Sequence, residues 1–437
     1  MPTRDANTNS DQHPPMFSAG NMLPFFLVTA LFLFWGIPSN LNDILIKQFM
    51  KSFEITRFKA GLIQSAFYMG YFLLAVPAAL VMKRFGYKTG LVIGLFLYSA
   101  GTMLFYPAAM VGRYGFFLFA LFVIASGASF LETGANSFVA MLGDPRTSER
   151  RLNFSQAFNP VGAVTGVLVG TIFILSGKEL TQAQVAASKS AGTYAAYLRW
   201  ETLRVVTPYL VLGTVIFVWA LLILMTKFPK VAEEADPADS RSHGKARDLV
   251  HYPHFVKGVV AQFLYVGAQV GTWSYFIQYV QEYTQSPEKI AGYFLTGTLF
   301  AFGIGRFISS ALMGKVRASR LMGFYSVINV VLLTIGVLAP GWTGLWTIFL
   351  SSFFMSIMFP TIFALGIEGL GENTKIAASL IIMAIIGGAV LTPIMGLISQ
   401  RSGGIANAYA VPLTCYVFVA LYAYWGAHLR PLKLQHS

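Results

Sequence analysis

"FFLVTALFLFWGIPSNLNDIL", residues 25–45, is the stretch on which the reading of this chain turns. Its first thirteen residues carry one hydroxyl and no charge; then Ser39, Asn40, Asn42 and Asp43 appear, with more apolar residues beyond them. About 20 predominantly apolar residues suffice for a helix to cross the hydrocarbon core of a bilayer. Two amides and a carboxylate inside such a run are costly in lipid. They mark a helix face turned to a cavity, a ligand or a proton route.

The rest of the chain repeats the pattern. Of 437 residues, 55% are hydrophobic and 11% are charged, about half the charge of an ordinary soluble domain. Runs such as 91–106 and 208–226 hold no charge at all. Twelve spans are expected, at 21–46, 59–82, 90–110, 116–142, 152–175, 205–227, 256–282, 290–314, 321–339, 345–369, 375–399 and 408–427. The fold class is therefore an all-α polytopic membrane protein. No small-residue cleavage site ends the first run, so it reads as a retained span rather than a signal peptide.

An even number of spans puts both termini on one side. The short basic clusters "MKRFGYK" after the second span and "GKVRASR" after the eighth lie on that side, and short-loop Lys and Arg mark the cytoplasm. The bases of "IKQFMKSFEITRFK" pull the other way. The net charge of +13 follows from such loops and calls for no nucleic-acid partner. The lone cysteine, Cys415, cannot form an intrachain disulfide.

The connector "KFPKVAEEADPADSRSHGKARDLVHYPHF" is Pro- and Ser-containing with mixed charge, a solvated linker. It divides the chain into a tail at 1–20, a first six-helix bundle at 21–228, a linker at 229–255, a second bundle at 256–429 and a tail at 430–437. The second and eighth spans end in similar text, "PAALVMKRFGYK" and "SSALMGKVRASR". The fifth and eleventh share "NPVGAVTGVLVG" and "IIGGAVLTPIMG". Two related halves around a central path is a common transporter plan; close helix packing alone also favours such glycines.

Of the eighteen carboxylates, only Asp43 and Glu132 lie well inside apolar runs. Residues three or four apart share a helix face, so Ser39 and Asn40 accompany Asp43, and Asn136 accompanies Glu132. Gln156 and Asn159 form a third polar face on the fifth span. A carboxylic acid shielded from water takes a proton near neutral pH more readily than an exposed one, and amides suit a ligand rich in hydroxyls. At ~1.5 Å per residue, Asp43 lies roughly 27 Å along its helix from Phe25, and Glu132 roughly 15 Å from Leu142. Asp43 is thus the outer acid and Glu132 the more central one.

The seventh span, "AQFLYVGAQVGTWSYFIQY", adds Gln262, Gln269, Trp273, Tyr275 and Gln278. Gln262 and Gln269, seven apart, share a face that suits a wet cavity. Trp273 either stacks on a sugar ring or sits at the membrane interface. Arg306 reads as a structural residue that snorkels or pairs with backbone carbonyls. The six histidines fall in tails, linker or membrane edge, which leaves no metal set, no cofactor site and no nucleophile–base pair for an enzyme.

The segments "NLNDIL", "FKAGLIQSAFYMGYF", "LETGANSFV", "LNFSQAFNPVGA", "YVGAQVGTWSY", "YFLTGT", "GRF" and "FPTIFALGIEGLGENTK", in this order over 24–396, resemble the fucose permease branch of the major facilitator superfamily. The resemblance implies two six-helix bundles that alternate access while a sugar moves with a proton. It implies Asp43 and Glu132 as the essential carboxylates, Asn40, Gln156 and Asn159 as sugar-contacting amides, and Trp273 as the matching tryptophan. Two departures bear on the sugar: Phe359 stands where the family has a tyrosine, and Pro160 where it has a serine.

Together these readings predict a monomeric proton-coupled symporter of the inner membrane for L-fucose or a related hexose or pentose. Glu132 binds sugar and takes the proton, Asp43 passes protons to the outer side, and Asn40, Gln156, Asn159, Gln269 and Trp273 hold the sugar. An uncoupled facilitator is the nearest alternative. A drug–proton antiporter or a membrane enzyme fits the amide-rich faces less well.

Overall fold

Long apolar runs leave a chain one economical way to satisfy its backbone in lipid, the α-helix, whose N–H and C=O groups pair within the segment. The computed structural model describes residues 21–143, 148–229, 246–313, 315–370 and 373–426. Both expected tails and most of the expected linker lie outside the described residues. Eleven of the described helices are long and apolar enough to cross a membrane: α1 Met22–Ser52, α2 Arg57–Phe85, α3 Tyr87–Val111, α4 Tyr114–Met141, α5 Phe154–Ile174, α6 Tyr194–Met225, α8 Glu288–Met313, α9 Ala318–Leu338, α10 Trp342–Ile367, α11 Ile376–Ser402 and α12 Ile405–Gly426. The remaining span, α7, is Pro253–Ser274 continued by Phe276–Thr284. It carries Gln262, Gln269 and Gln278 and is interrupted at Tyr275. Large apolar side chains such as Leu73, Phe119, Val218 and Phe307 are exposed on the outside, which suits a lipid solvent.

Two boundaries differ from expectation. The first span was expected to end at residue 46, yet α1 continues to Ser52 because Lys47, Gln48 and Lys51 all find polar partners there. The sixth span was expected to begin at 205. Helix starts instead at Tyr194, through a charged turn that carries Glu201.

Prolines inside spans free a carbonyl four residues back, and in three cases a side chain takes it up. Pro38 in α1 frees the Phe34 carbonyl, to which the Tyr98 hydroxyl of α3 donates at 2.8 Å. Pro360 frees that of Ser356, which accepts from Arg306 Nε at 3.3 Å. Pro393 in α11 frees that of Ala389, which accepts from Ser65 of α2 at 2.6 Å. Arg306 therefore pairs with a backbone carbonyl, and its guanidinium also lies 5.1 Å from the centre of the Phe302 ring.

The halves meet along two seams, α2 against α11 and α5 against α8. Each seam joins one member of the second/eighth pair to one of the fifth/eleventh pair, the spans whose text repeats. Small residues allow the approach: a Cβ on Gly61 would lie 2.9 Å from Pro393 Cα and 2.8 Å from the Tyr275 hydroxyl. Within the first half, a Cβ on Gly36 would lie 2.6 Å from the Asn159 carbonyl oxygen, so α1 and α5 run in backbone contact.

Candidate functional site

Asp43 lies on α1 beyond Pro38 and is 3% exposed. Its Oδ1 accepts from Gln64 Nε2 of α2 at 2.9 Å and from Ser274 Oγ of α7 at 2.9 Å. Gln64 Nε2 also donates to Ser274 Oγ at 2.9 Å, and Gln64 Oε1 accepts from Asn42 at 3.3 Å. A carboxylate, two amides and a hydroxyl thus form one buried cluster that spans both halves.

Glu132 on α4 stands apart from it. The carboxylate accepts from the Tyr71 hydroxyl of α2, and it lines a cavity of ≈ 480 Å³ together with Tyr68, Tyr71, Asn136 and Ser137. Ser379, Ile382, Met383, Ile385 and Ile386 of α11 also line it. Asn136 Nδ2 donates to the Glu132 carbonyl at 2.9 Å and its Oδ1 accepts from Gln156 Nε2 at 3.2 Å. Tyr68, one turn from Gln64, lies within electrostatic reach of both Asp43 and Glu132.

The amides expected to bind sugar are placed unevenly. Gln156 joins the Glu132 group through Asn136. Asn40 instead donates to the Gly36 carbonyl of its own helix at 3.0 Å and to Ser39 at 3.1 Å. Asn159 reaches the Phe32 carbonyl at 3.4 Å. Trp273 is buried; its Nε1 donates to Ser352 at 3.1 Å and its ring meets Phe302 edge-on at 5.2 Å. Gln269 is half-buried, whereas Gln262, predicted to share its wet face, is fully buried with both polar atoms unpartnered among the described residues. Gln64, Tyr68, Tyr71 and Ser274 were not singled out from sequence. The signal was the spacing 64, 68, 71, one face of α2.

The Major Facilitator Superfamily pattern matches residues 21–393. The chain belongs to the major facilitator superfamily. It is 41% identical over 411 residues to an L-fucose-proton symporter of Escherichia coli (strain K12), covering 93% of each. It is 34% identical over 428 residues to a glucose/galactose transporter of Brucella abortus biovar 1 (strain 9-941), covering 96% of this chain and 98% of that one. The crystal structure of the superfamily transporter FucP in the outward conformation superposes with a TM-score of 0.68 at 40% identity, over 94% of this chain and 100% of that one.

A facilitator-superfamily transporter must open its central path to one side at a time, and here the side on which α1 ends is bolted shut. Lys51 of α1 sits between two buried carboxylates, Glu201 of α6 at 3.2 Å and Glu288 of α8 at 2.9 Å, and donates to Ser176 at 3.0 Å. Arg57 of α2 pairs with Glu282 of α7 and donates to Ser399 of α11 at 2.7 Å. Tyr275, at the interruption of α7, donates to the Arg57 carbonyl at 2.9 Å. One turn before Lys51 on α1, Lys47 meets Glu179 at 2.8 Å, and Gln281 donates to Glu179 at 2.8 Å. Burial pushes the Glu179 carboxyl up, but the Lys47 ammonium and these hydrogen bonds outweigh it and hold it below the usual carboxylate range. A depressed acid lends stability above that range and loses it only as pH falls through its own value. Near neutral pH, Glu179 is a fixed charge.

Proposed function

We propose that this chain is an L-fucose–proton symporter of the bacterial inner membrane, working as a monomer with both termini in the cytoplasm. The segments 21–228 and 256–429 are its two moving bodies. The side bolted by Lys51 and Arg57 is then the outer one, and the conformation is inward-facing. The basic cluster "MKRFGYK" on the opposite side supports this orientation.

One observation carries the reading. The two membrane-embedded carboxylates differ in access: Glu132 borders a cavity among hydroxyls and amides, while Asp43 is sealed against the second half. Two acids with different routes to water suit a proton taken up from one side and released to the other. Glu132 takes the proton beside the sugar and Asp43 exchanges it with the outer side. Asn40, Gln156, Asn159, Gln269 and Trp273 supply the sugar's partners; in the state described here, the first three and Trp273 hold these groups on protein atoms, so sugar binding exchanges partners rather than filling vacancies. Relatives that carry L-fucose and glucose or galactose support a hexose-type ligand, with Phe359 and Pro160 as the departures that tune it.

The test is uptake into proteoliposomes with an imposed proton gradient. Glu132→Gln is expected to abolish accumulation of L-fucose against its gradient. Undiminished accumulation would remove Glu132 from the coupling step. Adding L-fucose to de-energised cells is expected to make the medium alkaline; no alkalinisation despite uptake would leave an uncoupled facilitator.

A further inference from the structure

The bonding around Asp43 has a direction. Gln64 donates one amide hydrogen to Asp43 Oδ1 and the other to Ser274 Oγ, while the Ser274 hydroxyl hydrogen goes to Oδ1. The amide cannot be reversed without turning Gln64 Oε1 onto the carboxylate and an NH2 onto Asn42 Nδ2. Both donors of Gln64 and the Ser274 hydroxyl are therefore assigned, and both lone-pair sites of Oδ1 are filled.

Ser274 is also released from the usual habit of its residue type. A serine or threonine within a helix commonly donates back to the carbonyl four residues earlier, as Thr272 does to Ala268 at 2.7 Å. Ser274 is the last residue before α7 breaks at Tyr275, and its hydroxyl crosses to the first half instead. Gln64 belongs to the same half as Asp43; Ser274 does not. When the halves part on that side, Gln64 stays with the carboxylate and Ser274 leaves it.

We propose that Gln64 and Ser274 are positioning residues of the proton step. With Oδ1 occupied, the proton enters and leaves at Oδ2 of Asp43. Because one of its two fixed donors comes from the opposite half, the carboxylate senses closure of the outer side. This inference rests on the symport reading above. The titratable groups facing Asp43 from packed helices, among the described residues, are Tyr68 of α2 and Tyr409 of α12. Lys47, one turn further along α1, is turned to Glu179.

The experiment compares Ser274→Ala and Ser274→Thr with the parent, using L-fucose as probe. Counterflow, which moves no net protons, is measured beside proton-driven accumulation from pH 5 to 8. A hydrogen bond to a charged group is worth about tenfold in an equilibrium. Ser274→Ala is expected to lower accumulation about tenfold relative to counterflow and to displace its pH profile, and Ser274→Thr to restore both. An unchanged ratio and profile in Ser274→Ala would overturn the inference. If the alanine variant does not fold, infrared difference spectra on acidifying the parent and Ser274→Thr decide: the carboxylic C=O band that Asp43→Asn removes should sit at the frequency of a doubly hydrogen-bonded carbonyl. A band at the free-carbonyl position would overturn it. A parent that takes up L-fucose without protons would overturn the functional reading itself, and this inference with it.

Discussion

At Arg306 a charge sits deep in the second half with a carbonyl as its partner. Pro360 leaves the Ser356 oxygen without its helical N–H, and Arg306 supplies the missing donor. Arg306→Met is therefore expected to lower stability by about 1–3 kcal/mol, the cost of a buried carbonyl left unsatisfied, read as a drop in thermal midpoint in detergent. An unchanged midpoint would assign that carbonyl another partner. Asp43 and Glu132 were legible in the sequence because an acid in an apolar run has few innocent explanations. Gln64 and Ser274 were not. A single amide or hydroxyl is common in a span, and what gives these two meaning is a meeting between residues 210 apart in the chain. The amides proposed to bind sugar stood out by type and resemblance, whereas their bonds to Gly36, Phe32 and Asn136 were not legible, because they depend on how the helices pack.

Along α2 the residues 57, 61, 64, 68 and 71 repeat at helical spacing. Arg57 pairs with Glu282, Gly61 abuts Pro393, and Gln64 bonds Ser274. Tyr68 packs where a Cβ on Gly388 would touch its ring, and Tyr71 bonds Glu132. One stripe thus carries an ion pair of the closed end, the seam contact, one partner for each carboxylate and a wall of the cavity. Gly61→Leu puts a branched side chain where a single carbon already collides with Pro393. It is expected to keep α2 and α11 apart, abolishing transport while leaving L-fucose binding to the outward side, measurable by equilibrium binding on right-side-out vesicles. Full transport would show that the seam yields. The seams themselves were half legible: repeated text marked the second, fifth, eighth and eleventh spans, but a repeat does not say which spans touch. The extension of α1 escaped notice because its lysines look like loop residues until Glu179, Glu201 and Glu288 are brought to them.

Across the whole molecule, the ion pairs at the closed end weigh one conformation against the other. Removing one partner of a buried pair costs several kcal/mol, and about 1.4 kcal/mol is tenfold in a population. Lys51→Met is expected to favour opening of that end. With Cys415→Ser removing the lone native thiol and Gln278→Cys placed beneath the closure, labelling by a membrane-impermeant maleimide should quicken about tenfold or more. An unaltered rate would show that Lys51 does not hold the gate. The helix on which so much of this depends has a second consequence. α7 carries Gln262, Gln269, Ser274 and Gln278 within its length and is interrupted at Tyr275. Ser274, just before the break, bonds Asp43, and Tyr275, at the break, donates to the Arg57 carbonyl, so any displacement of this joint disturbs a buried carboxylate and the closed end together.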